Sequence, residues 1–255
     1  RRVAAKLTTY CCNIEKIDIG GISLIRAAAK NFKDVVIIPS RKHYGWLSQL
    51  LSEKQGTTDL ADRQLMAAHA FNESSHYDTA IFNYFNTSAQ IAALKIDVQG
   101  GHALRYGENP HQQGYFYGNL SAALQQLHGK EISYNNLLDI DASIQLMAEY
   151  TAPTFAILKH NNACGLATRE HLTESWKAAL AGDPVSAFGG VLITNRMVTA
   201  EVAESMNELF FEVCIAPGYS PEALTLLQQK KNRIILINNN IEFNKVQFRS
   251  LLNGV

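Results

Sequence analysis

This sequence has little of what marks the specialised protein classes. It holds four cysteines, Cys11, Cys12, Cys164 and Cys214, at spacings that form neither a disulfide framework nor a paired CxxC zinc site. Cys164 and Cys214 adjoin apolar runs and are expected as buried thiols. Acidic and basic residues balance at 23 each. No basic field therefore favours nucleic acid or an anionic membrane surface, although a local phosphate pocket stays open. No apolar run approaches the roughly 18 residues of a membrane helix, and the first residues, interrupted by Lys6, lack a secretory signal's apolar core. Repeats and heptads are absent. The expectation is a soluble cytoplasmic protein of one or two domains, with enough chain to bury a core.

What is there alternates between helical and strand patterns. A Gly20-Gly21 turn opens an Ala-rich helix with Ser23 as its expected N-cap, a setting that attracts anions. The β-branched run 35–38, stopped by Pro39, predicts a strand after it. Tyr44, Leu47 and Leu51, then Ala61, Leu65 and Ala68, give two amphipathic helices whose stripes are expected in the core. Residues 77–85 predict another helix. The domain boundary is placed between about Thr87 and Gly101, where Gly100-Gly101 breaks regular structure.

Further on, the apolar runs 155–158, 191–193 and 213–215 and the segment 233–237 predict strands. Leu172, Trp176, Ala179 and Leu180 mark one intervening helix, and Val202, Met206, Leu209 and Phe210 mark another. Ser220-Pro221 is an N-cap and N1 pair opening a third, to about Lys230, and Asn238-Asn-Asn240 predicts a turn. Such alternation predicts a layered α/β domain with helices covering a sheet.

Three segments carry chemistry. The first is Phe155-Ala-Ile-Leu-Lys159-His160-Asn-Asn-Ala-Cys-Gly165, a strand that ends on an ammonium and an imidazole. His160 can move a proton near neutral pH and Lys159 can stabilise an oxyanion, which suits acyl transfer; a solvated loop is the plainer alternative. In the second, 104–112, Arg105 can grip a phosphate, Tyr106 can stack or hydrogen-bond, and Gly107 permits close approach, although an ordinary polar turn has the same composition. The third, 183–190, offers Phe188 as a ring platform beside a double glycine, or simply a tight entry to a strand.

The order and wording of LRYGENPHQ (104–112), GKEISYNNLLDIDA (129–142), LKHNNACG (158–165), DPVSAFGGV (183–191) and IAPGY (215–219) closely resemble the bifunctional purine-synthesis family that joins AICAR formyltransferase to IMP cyclohydrolase. The segment from Ile17 to Asn31 is similar to that family's cyclohydrolase domain. The resemblance implies a central fragment: residues 1–90 as the C-terminal part of a layered α/β (MGS-like) cyclohydrolase domain, and residues 100–255 as the first half of a cytidine-deaminase-like α/β formyltransferase domain.

It also implies chemistry. The 5-amino group of AICAR takes a formyl group from the co-substrate 10-formyltetrahydrofolate, and the product FAICAR closes to IMP with loss of water. His160 matches the catalytic histidine and Lys159 the transition-state lysine. Arg105, Tyr106, Asn136, Phe188, Gly189 and Glu212 match nucleotide-binding positions, some relatives having Asp at the last. Upstream, Lys30 matches the cyclohydrolase lysine, and Asp18 and Ile19 match positions touching the purine nucleotide; a close Asp18/Lys30 pair would shuttle protons, the plainer alternative being an Asp18 turn cap and a surface Lys30. A cytoplasmic homodimer needing no metal, nucleic acid or membrane is implied.

The family's glycine-rich phosphate segment, its Lys-Thr-Leu-His-Pro segment and its main folate contacts are not found in these residues. The expectation is a truncated chain whose own activity is in question, and the alternative is an inactive nucleotide-binding fragment or degenerate paralogue. A zinc deaminase would need His-x-Glu and Pro-Cys-x-x-Cys. Neither pattern occurs in the sequence.

Overall fold

The computed structural model describes residues 14–239 together with residues 248, 249 and 252. Cys11, Cys12 and Asn240 lie outside the described residues. The chain divides into two compact units, one ending at Asp97 and the other starting at Val98.

The first unit contains helices α1 (Gly20–Lys30), α2 (Tyr44–Glu53) and α3 (Leu60–Ala89). Ser23 does not cap α1. It lies inside the helix with its hydroxyl on the Ile19 carbonyl at 2.7 Å, while the Asp18 carboxylate accepts from the Gly21 and Ile22 amides at 3.3 and 2.6 Å. Asp18 has the right reach because it precedes the helix, whereas Ser23 sits a full turn inside it.

Residues 35–38 join no ladder among the described residues; β-branching alone makes no strand without a partner edge. The segment 77–85 is helical, but as part of the 30-residue α3. That helix starts at a capping box in which Asp59 and Asp62 each accept the other's backbone amide. Lys54 bonds both carboxylates at 2.6 Å.

The expected core stripes of this unit are met only in part: Leu47 and Leu51 of α2 are half-buried. Ala61, Leu65 and Ala68 are exposed, as is Tyr44, and the buried face of α3 is Met66, Ala67, Ala70 and Ser74. The reason is close packing of α1 on α3 through Ala29, Ala67 and Ala70. A close crossing selects small side chains, so the larger Leu65 turns outward.

The second unit opens with a ribbon of β1 (Gly101–Ala103) and β2 (Tyr115–Tyr117). A short helix α4 (Leu120–Ala123) then leads into a six-stranded sheet. Its strands are β3 (Leu124–His128), β4 (Thr154–Lys159), β5 (Asn162–Thr168), β6 (Val191–Thr194), β7 (Val213–Ala216) and β8 (Ile234–Asn238), in the order β3-β8-β7-β6-β4-β5. β6, β7 and β8 run parallel, and the remaining pairings are antiparallel.

Between them lie α5 (Tyr134–Met147), α6 (Leu172–Leu180), α7 (Pro184–Ala187), α8 (Ala200–Met206) and α9 (Pro221–Leu227). Strand alternation sends Phe155, Ile157, Leu192 and Cys214 into one core with Trp176, Met206 and Leu227. Ala156, Leu158, Val191 and Ile215 enter the opposite core with Ile140, Ile144 and Met147 of α5. Helices thus cover both faces, which is why the central strands read as unbroken apolar runs.

Several limits shift. α8 ends at Met206, leaving Leu209 and the exposed Phe210 beyond it. α9 ends at Leu227 rather than near Lys230, although Ser220 caps it as expected through the Ala223 amide. Asn238 closes β8 instead of entering a turn. Cys214 is fully buried, while Cys164 is only partly so.

Candidate functional site

β4 and β5 form a hairpin in which Lys159 pairs with Asn162. The two residues between, His160 and Asn161, have φ of 52° and 63°. This is the two-residue turn whose twist matches antiparallel strands, and it demands positive φ at both positions. The loop expected after the strand is therefore a tight tip, with Lys159 as the last strand residue and His160 as the first turn residue.

The hairpin forms one wall of a cleft of about 480 Å³ lined by Tyr106, Asn136, Lys159, His160, Gly189 and Glu212 among others. The opposite wall is the N-terminus of α5, where Ser133 and Asn136 make a reciprocal capping box. Ser133, Asn135 and Asn136 of this helix start line the cleft, and the positive end of a 14-residue helix dipole favours an anion there. The cleft also sits at the starts of β6 and β7, beside Val191 and Glu212.

Glu212 is tied from two sides. Its Oε2 accepts from Lys130 Nζ at 3.0 Å and from Asn136 Nδ2 at 3.4 Å. Lys159 Nζ donates to the Phe188 carbonyl at 2.8 Å. The imidazole of His160 is exposed and makes no hydrogen bond among the described residues.

Tyr106 receives a hydrogen bond from the Arg105 guanidinium at 2.9 Å, which also lies 4.7 Å from its ring centroid. That bond holds the phenol below its ordinary pKa, with Ser133 and the Lys130 charge assisting against desolvation. Arg105 itself is exposed, bonded to Tyr106, and is not among the residues lining the cleft.

The double glycine serves the backbone. Gly189 has φ of 74° and donates to the Phe210 carbonyl at 2.8 Å. A β-carbon on Gly190 would come within 2.9 Å of the Leu158 carbonyl. Phe188 is exposed and tilts against Phe210 with ring centroids 5.1 Å apart.

The sequence reading missed Lys130, Ser133, Asn135, Asp139, Glu108 and Asn161, which lie in or beside the cleft. The segment 129–142 carried the signal for most of them, since Ser133 is a preferred N-cap residue ahead of a helical run. In the first unit, the Asp18 amide donates to the Tyr77 hydroxyl at 2.6 Å, Ile19 is exposed, and Lys30 is the last residue of α1. Asp18 and Lys30 thus stand at opposite ends of an 11-residue helix, about 16 Å at helical rise. They do not form the close pair expected.

The second unit is thus a layered α/β unit with cationic, imidazole and amide groups around one cleft, an arrangement with the size and polarity to take a small ligand. No group of three or more His, Cys, Asp or Glu suited to a metal occurs among the described residues, nor does a helix long and apolar enough to cross a membrane. The sequence model of the AICARFT/IMPCHase bienzyme family matches residues 28–255. The chain belongs to that family.

Among curated relatives, the bifunctional purine biosynthesis protein PurH of Bacteroides thetaiotaomicron is 60% identical over 242 residues, covering 95% of this chain and 48% of its own length. The PurH of Chloroflexus aurantiacus is 43% identical, covering 87% of this chain and 44% of its own. That of Enterococcus faecalis is 39% identical, covering 95% and 49%. The chain spans about half the length of these relatives.

Proposed function

We propose that the second unit carries the nucleotide side of an AICAR formyltransferase site, and that the first unit is the later part of an IMP cyclohydrolase domain. The division follows residues 1–90 and 100–255. The observation that carries the reading is the convergence of Lys159, His160, Asn136, Tyr106 and Glu212 on one cleft. Its volume of about 480 Å³ suits a mononucleotide.

In this reading the phosphate of AICAR is met by Arg105 and the ribose and carboxamide by Asn136, Glu212 and the Gly189 backbone. Phe188 borders the flat ring. The 5-amino nitrogen attacks the formyl carbon of 10-formyltetrahydrofolate. His160 takes a proton from that nitrogen, and Lys159, using the donors left beside its bond to the Phe188 carbonyl, stabilises the oxyanion of the tetrahedral intermediate. Collapse expels the folate N10, which takes up a proton. General acid–base catalysis of this kind supplies about 10²- to 10⁴-fold, so orientation of two ligands supplies much of the rest.

FAICAR then closes to IMP with loss of water. Lys30, Asp18 and Ile19 are proposed contributors to that step separately rather than as a contact pair. The protein is further proposed to act in the cytoplasm as a homodimer, with folate as its formyl donor. A spectrophotometric assay of formyl transfer from 10-formyltetrahydrofolate to AICAR tests the reading. Turnover abolished by His160→Ala supports it; nucleotide binding without turnover favours the alternative of a binding-only portion.

A further inference from the structure

Asp139 is used by no step above, yet it connects the two walls of the cleft. Its Oδ1 accepts the backbone amide of Asn161 at 2.7 Å, across 22 residues of sequence. Asn161 is the second residue of the hairpin tip, and both it and His160 hold positive φ. Neither is glycine, the residue such tips favour at the second position, although His and Asn are among the side chains that enter the left-handed region most readily.

The β4–β5 register shifts between Ile157 and Leu158, so the pairs that close the tip, Leu158 with Ala163 and Lys159 with Asn162, follow an irregularity, while Leu158 also pairs with Val191 of β6. A further tie to the tip comes from outside the sheet. α5 provides it, with Asp139 holding the hairpin and Asn136, one turn earlier, reaching Glu212 at 3.4 Å.

We propose that Asp139 is the positioning residue of the Lys159-His160 pair: its carboxylate holds the His160-Asn161 turn left-handed and so keeps the imidazole at the cleft. What the imidazole does there rests on the formyl-transfer reading; the hold on the turn does not.

The test is amide hydrogen exchange and His160 ring proton shifts by NMR on the full chain. In Asp139→Ala the Asn161 amide exchanges about tenfold faster or more, and the His160 ring signals move. Asp139→Asn, which keeps an acceptor oxygen, retains protection. In Asp139→Ala/Asn161→Gly, glycine adopts the turn without strain and the ring signals return towards the wild-type position.

Unchanged exchange and ring signals in Asp139→Ala overturn the proposal. Should that variant not fold, the wild-type chain decides. The Asn161 amide proton shift must follow titration of the Asp139 carboxyl carbon, and an indifferent amide overturns the proposal. Ring signals that stay put under saturating AICAR count against the formyl-transfer reading alone.

Discussion

Lys159 Nζ rests on the Phe188 carbonyl at 2.8 Å, which places the ammonium beside the Gly189 turn and within the cleft lining. The bond orients the side chain while leaving donors for a ligand, since an ammonium has three. Replacement Lys159→Met removes charge and keeps the stem. Formyl transfer is expected to fall by about 10²- to 10³-fold, while the thermal midpoint moves little. A large fall in midpoint with kcat unchanged would make the residue structural.

Arg105 and Tyr106 act together. Arg105→Ala is expected to raise the AICAR dissociation constant by more than about tenfold, as loss of a charged hydrogen-bonding partner requires. The same change removes the main cause of the lowered Tyr106 phenol. Its ultraviolet titration should shift upward, and an unmoved titration would separate the two residues.

Much of the second unit was legible because its strands are buried on both faces and read as plain apolar runs. Lys159 and His160 stood out for the same reason, at the end of such a run. β5 did not, since Asn162–Thr168 is built of small and polar residues and takes its structure from the β4 edge rather than from its own pattern. α5 was hidden by a polar first turn, Tyr134-Asn135-Asn136, two residues of which line the cleft. In the first unit, periodicity found the helices but not the inner face of α3, because the α1–α3 crossing chose Ala29, Ala67 and Ala70 over the larger apolar residues.

Acid should act on the first unit through Asp59. Its carboxyl is lowered to about 2, chiefly by the Lys54 hydrogen bond and then by the Asp62 amide. A depressed carboxyl contributes stability that is complete above its unfolded value of 3.8 and is lost as pH falls through about 2. Asp59→Asn should therefore flatten the stability profile between those values in a denaturant series. An unchanged slope would remove the Lys54–Asp59 contact from the acid response.

The two described cysteines should differ in reactivity. Burial raises the Cys214 thiol to about 12, while Cys164, raised chiefly by partial burial, is nearer solvent. Iodoacetamide at pH 8 followed by peptide mass spectrometry should label Cys164 slowly and Cys214 only after unfolding. Labelling of Cys214 in the native protein would contradict the packing of β7.

Calorimetric titration of the chain with AICAR tests the central claim most directly. The account predicts saturable binding at one site per chain, weakened by Arg105→Ala and by Glu212→Ala. Absence of binding, or binding indifferent to both substitutions, would contradict a nucleotide site in the cleft of Lys159 and His160.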